Sequence, residues 1–145
     1  MPAGRTLEDA LARRRAMETG EIWAADVSPP GMEQRIWLGA GRDAANLETL
    51  RQRKVTHVLN VADDVPNYHE GEFTYLQLGV ADFGADAGIA RVFPAAGRFV
   101  ETALQTAGGR MLIHCANGGN RSVTVAIAVL MQNFSLSLAE AWALV

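Results

Sequence analysis

The stretch Met111-Leu112-Ile113-His114-Cys115-Ala116-Asn117-Gly118-Gly119-Asn120-Arg121-Ser122 runs straight into the mostly apolar segment Val123–Leu130. Met111–His114 reads as a short buried strand and Ser122 to about Asn133 as a helix, with a tight loop between them. Such a strand delivers Cys115 to its carboxyl end, where open α/β sheets place their ligand sites. Gly118 and Gly119 let the backbone turn and point successive N–H groups into one concavity. The helix that follows directs its positive end at the same point. Arg121, six residues after the cysteine, can close the cup with a planar fork that fits two oxygens of a tetrahedral anion. Helix N-termini and neighbouring cations favour thiolate over thiol, so the segment builds an anion nest with a nucleophile at its floor. The backbone of Ala116, Asn117, Gly118, Gly119, Asn120 and Arg121 would line the nest. The Ser122 hydroxyl can donate to the sulfur, and His114 orders the loop from behind.

Outward from this loop, strands and helices alternate. Ile89 to about Thr106 predicts a helix carrying Phe93, Phe99, Val100 and Leu104, with Pro94 in its first turn or two and Gly108-Gly109 as its stop. Val55–Val61 and Phe73–Leu78 predict strands, and the Gly- and Asp-rich segment Asp82–Gly88 a loop. Asp43 reads as the N-cap of a helix to about Gln52, with Leu47 and Leu50 facing inward. Ile22–Val27 and Arg35–Leu38 read as strands on either side of Ser28-Pro29-Pro30-Gly31. Thr6 with Asp9 forms a capping box for a helix to about Glu18 that Gly20 ends, and Arg13 to Arg15 read as its solvated face. Ser137 with Glu140 opens a final helix running to Val145. This order of elements predicts one α/β domain with parallel strands over residues 22–145, preceded by a helical extension over residues 1–21.

Bulk properties narrow the function classes. With 145 residues the chain is long enough for one domain with a real core. A net charge of −3 offers no polyanion-binding surface, so no nucleic acid partner is expected. A single cysteine excludes an internal disulfide framework and suits a reducing compartment. The charged N-terminus lacks a signal-peptide core, and the longest apolar run, from Ser122 to about Leu130, is too short for a membrane span. A cytoplasmic or nuclear protein is the expectation, and nothing in the sequence sets an oligomeric state.

His114-Cys115, five residues, then Arg121-Ser122 resembles the active-site loop of the protein tyrosine phosphatases. Matching the cysteine, His114, Gly118, Arg121 and Ser122 together by chance has a probability of roughly 10⁻⁵ per cysteine at average usage. Ile36-Trp37-Leu38-Gly39, Val55–Val61 and the segment Tyr75–Asp82 are similar to stretches of the dual-specificity branch. The resemblance runs from about Ile22 to Val145. The low-molecular-weight phosphatases carry their cysteine near the N-terminus, unlike Cys115. The resemblance implies a twisted sheet of about five strands flanked by helices, and a domain continuing beyond Val145. It implies no metal and no other cofactor, and His57, His69 and His114 stand at non-ligand spacings; His57 reads as a core residue of its strand.

The resemblance also implies a general acid, for which Asp82 matches; Asp86 is the alternative, and Asp63 and Asp64 lie in a different loop. Asn60 matches an asparagine that supports the cysteine loop from the neighbouring strand. Asn117 and Asn120 depart from the common family residues and shape the rim of the pocket. The implied activity is hydrolysis of phosphotyrosine, with phosphoserine and phosphothreonine as further substrates, through a phosphocysteine intermediate. Relatives acting on phosphoinositides, phosphorylated sugars or RNA 5′ ends tend to place Lys or Arg inside the loop. Ala116 to Asn120 hold none, which favours a phosphoprotein. A phosphate-binding pseudoenzyme usually loses the cysteine or the arginine, and both are present here.

Overall fold

A computed structural model describes residues 6–81, 88–117 and 121–145. In chain order the elements are α1 (Leu7–Thr19), β1 (Ala25–Asp26), β2 (Ile36–Gly39), α2 (Gly41–Ala45), α3 (Leu47–Gln52), β3 (His57–Ala62), β4 (Thr74–Val80), a 3₁₀ turn (Ile89–Val92), α4 (Phe93–Gln105), β5 (Met111–His114), α5 (Arg121–Phe134) and α6 (Leu138–Leu144). The strands form one sheet in the order β1-β2-β5-β3-β4. β2, β5, β3 and β4 are parallel, and only β1 runs antiparallel, at the edge. The expected α/β fold with a five-stranded, helix-flanked sheet is present.

Two-residue alternation sorts the strands between two cores. Ile36, Leu38, Leu59, Val61, Met111 and Ile113 face the larger core, which also takes in Val100 of α4, Val125 and Val129 of α5, and Ala141 of α6. Trp37, Val58 and Leu112 face the other side, against Ala44 and Leu50. β5, buried on both faces, is therefore apolar throughout its first three residues. β4, on the open edge, is exposed or half-buried until Val80, which is buried. Because the four parallel strands share a direction, Gly39, Ala62, Val80 and His114, their last residues, all lie at one rim of the sheet.

Three local expectations are corrected. Asp43 is not an N-cap: it sits in the third turn position of α2, buried, and its Oδ2 accepts from the Ala40 N–H at 2.7 Å. The helix then breaks at Asn46, whose own side chain accepts from Thr49 N–H and caps α3. Leu50 is fully buried as expected, while Leu47 is half-buried. Of Ile22–Val27, only Ala25 and Asp26 are strand. Ala24 adopts a φ of 33°, which breaks extension just after Trp23 packs edge-on against Trp37 and donates its indole N–H to the Asp43 carbonyl. Arg13 is not simply solvated: its Nη2 donates to the carbonyls of Leu144 and Val145 at 2.8 and 2.9 Å. α1 keeps its capping box and its left-handed Gly20 stop. Its Met17 is buried in the larger core, and the Arg42 guanidinium donates to the Met17 carbonyl. No helix among the described residues is long and apolar enough to cross a membrane.

Candidate active site

β5 lies between β2 and β3, so Cys115 emerges at the middle of the sheet rim rather than at an edge. Cys115 is 3% exposed, and its Sγ is 3.2 Å from Ser122 Oγ in the first turn of α5. Ala116 is half-buried and Asn117 exposed. The N–H of Gly41, at the start of α2, donates to the Ala116 carbonyl at 2.9 Å and so pins the loop after the cysteine. A Cβ on Gly41 would meet Ala116 O, Val65 Cγ1 and Cys115 O only at ordinary contact distances, so the backbone donor matters there more than the missing side chain. Gly118, Gly119 and Asn120 lie outside the described residues, as do Asp82 and Asp86.

Arg121 opens α5 with its side chain 3% exposed. Its Nη1 donates to the Val80 carbonyl at 2.7 Å, at the end of β4. The same nitrogen is 3.0 Å from Asp64 Oδ1 and 3.4 Å from Asp63 Oδ1. The Val80 carbonyl also accepts the Asp63 N–H at 3.1 Å, so one backbone oxygen joins the arginine to the turn carrying the two aspartates. Asp63 and Asp64 lie in a different loop of the sequence, and tertiary structure brings them to Arg121.

Asn60 is fully buried, but the loop it holds is a different one from that expected. Its Nδ2 donates to Val65 O at 2.7 Å and to Asn67 Oδ1 at 3.1 Å, and its Oδ1 accepts from Ala62 N–H at 3.1 Å. With both amide hydrogens used there, Asn60 shapes the turn of Asp63 and Asp64 and has none left to donate to the cysteine loop. Gln77, which the sequence did not single out, donates to Ala62 O and Val65 O of the same turn. His57 is buried, with Nδ1 2.7 Å from Thr56 Oγ1 and its ring edge-on to Phe99.

His114 sits behind the cysteine, fully buried. Its Nδ1 is 3.1 Å from the Cys115 carbonyl, and since a carbonyl only accepts, Nδ1 carries the hydrogen. Burial pushes the imidazole down to about 4, against a small upward effect of that hydrogen bond. A histidine kept neutral on folding contributes stability that is complete above its unfolded value of 6.5 and drains away as pH falls towards 4. The expected loss over that window is roughly 3 kcal/mol. Urea unfolding at pH 7 and pH 5 should show about 2 kcal/mol of it, and His114→Asn should lose less between the two pH values. An equal loss in both proteins would mean that other groups carry the acid sensitivity.

Residues 36–145 match the family model described as the dual specificity phosphatase catalytic domain. The chain belongs to this family. It is 42% identical over 112 residues to human dual specificity protein phosphatase 9, covering 76% of this chain and 29% of that protein. To dual specificity protein phosphatase 1 of Arabidopsis thaliana it is 32% identical over 127 residues, covering 88% of this chain and 63% of that protein. The crystal structure of human DUSP28 superposes with a TM-score of 0.72 at 31% identity, over 85% of this chain and 78% of that one. This chain thus spans under a third of dual specificity protein phosphatases 9 and 7, at 29% and 26% of their lengths. Within that matched domain, Cys115 follows β5 and Arg121 opens α5, bonded to the end of β4.

Proposed function

We propose that this dual-specificity phosphatase domain hydrolyses phosphoprotein monoesters, phosphotyrosine first, through a phosphocysteine intermediate. The observation that carries the reading is the placement of a buried Cys115 Sγ at the rim of the central strand, 3.2 Å from Ser122 Oγ, with Arg121 held at the start of the next helix. In the first step the Cys115 thiolate forms the S–P bond as the P–O bond to the substrate breaks. The Arg121 fork and the loop N–H groups hold the equatorial oxygens, and the leaving oxygen takes a proton from a general acid. In the second step water, losing a proton to that same carboxylate, attacks phosphorus. The S–P electron pair returns to sulfur, to which Ser122 Oγ–H donates. Asp82 is the acid in this reading, with Asp86 its alternative. The absence of Lys and Arg between Ala116 and Asn120 supports a protein substrate over a polyanionic one. The presence of both Cys115 and Arg121 supports turnover over mere binding.

Hydrolysis of nitrophenyl phosphate tests the chemistry, and a panel of phosphotyrosine, phosphothreonine and phosphoinositide substrates tests the class. No turnover of any of them would overturn the reading. The acid is tested by leaving-group dependence, because a good leaving group departs unaided. Asp82→Asn should lower kcat on phenyl phosphate by about 10²-fold or more while barely affecting the nitrophenyl ester. It should also flatten the alkaline limb of the pH–rate profile. Asp86→Asn should do neither, and the reverse pattern would move the acid to Asp86.

A further inference from the structure

Asp63 and Asp64 are adjacent, half-exposed carboxylates, 47% and 58% exposed, on a guanidinium that is 3% exposed. Their turn is built rather than loose. Asn60 grips it at Ala62, Val65 and Asn67, Gln77 grips it at Ala62 and Val65, and Asp63 N–H is tied to the Val80 carbonyl. Around Arg121 Nη1 the formal charges are one positive and two negative, before any phosphate arrives. The side-on edge of a guanidinium, Nε with Nη2, is the geometry that fits two phosphate oxygens. With Nη1 tied to Val80 O and the carboxylates, that edge is turned in a set direction. Both carboxylates touch the guanidinium that would seat a phosphate, well inside the screening length of about 8 Å at physiological salt. Both carboxylates also keep about half of their surface open to solvent.

We propose that Asp63 and Asp64 are positioning and specificity residues: they orient Arg121 and make the site select phosphosites flanked by basic residues over those flanked by acidic ones. This rests on the phosphatase reading above and deepens it to a substrate class. A lysine or arginine beside the phosphorylated residue gains an attraction from the exposed carboxylate pair. A glutamate there, or a second phosphate on an inositol ring, meets like charge. Exposed pairs are individually weak, so the attraction gained by lysine and the repulsion met by glutamate together give a preference of about tenfold.

The test is fluorescence anisotropy on the full chain carrying Cys115→Ser, with two phosphotyrosine peptides identical except for lysine or glutamate on either side. The lysine peptide should bind about tenfold tighter at low salt. In the Asp63→Asn/Asp64→Asn variant that ratio should fall to within about threefold, and Asp63→Glu/Asp64→Glu should restore it. In the chain with both aspartates intact, raising salt to about 0.5 M should also shrink the ratio, which needs no mutant to fold. A ratio unchanged by the asparagine pair and by salt overturns the proposal. So does equal affinity for the unphosphorylated lysine peptide, which would mark mere attraction to an acidic chain, and so does failure of both phosphopeptides to bind. Nitrophenyl phosphate turnover by the cysteine-bearing chain keeps the two readings apart: hydrolysis with a flat peptide ratio removes only the charge selection.

Discussion

Cys115→Ser is expected to lower turnover of any phosphomonoester by at least about 10³-fold while leaving binding within a few-fold. Oxygen is smaller than sulfur, so the change adds no bulk, and Ser122 Oγ, 3.2 Å from Sγ, can hydrogen-bond a hydroxyl as well as a thiol. The fold at the rim of β5 should therefore survive, since the backbone contacts of the loop, such as Gly41 N–H to Ala116 O, do not involve the side chain. What disappears is the nucleophile: a hydroxyl is a far weaker acid and a poorer nucleophile than a thiol. The phosphate seat remains, so the variant should trap phosphopeptides. Steady-state hydrolysis of nitrophenyl phosphate checks the first half and titration with orthovanadate or phosphopeptide the second. Turnover above about one per cent of the parent rate would end the covalent mechanism.

Arg121→Lys should cost at least about 10²-fold in kcat/KM, although the charge is kept. The guanidinium has several jobs in one place. Nη1 satisfies the Val80 carbonyl at 2.7 Å and meets Asp64 at 3.0 Å and Asp63 at 3.4 Å, and the fork must still present two parallel donors to phosphate. An ammonium is a single point with no planar edge, and at this burial it cannot serve the carbonyl, the carboxylates and two phosphate oxygens in their separate directions. The loss should fall on kcat as well as KM, because the fork matches the equatorial oxygens of the transition state. A lysine variant within a few-fold of the parent on nitrophenyl phosphate would show that Arg121 is not the clamp. Circular dichroism should confirm that both proteins are folded.

Much of the fold was legible because its signals are local. The Thr6–Asp9 and Ser137–Glu140 boxes each close over three residues, and both are present. Met111–His114 matches β5 residue for residue, because a strand buried on both faces has nothing but apolar positions to show until it reaches the rim. The errors came where one local bond displaced another or where a more distant side chain drew the backbone away. Asp43 looked like a cap but is drawn inward to Ala40, and Asn46, which carries its own cap, splits the helix. Ile22–Val27 had strand composition, but Trp23 turns to pack on Trp37, and only two residues pair with β2.

At the site, the cysteine, the arginine and the serine were readable because one loop of eight consecutive residues, Cys115 to Ser122, brackets them, so spacing alone carries the geometry. The sheet order was not readable: β5, last in sequence, inserts between β2 and β3, and this brings the ends of β3 and β4 beside the cysteine loop. Arg121 thereby meets Val80, 41 residues away, and Asp63, 58 residues away. Asn60 likewise looked fit to support the cysteine loop, yet spends both amide hydrogens on the aspartate turn. Contacts made across strands leave no period or spacing in the chain. They exist only once hydrogen bonding and burial have decided which strand lies beside which.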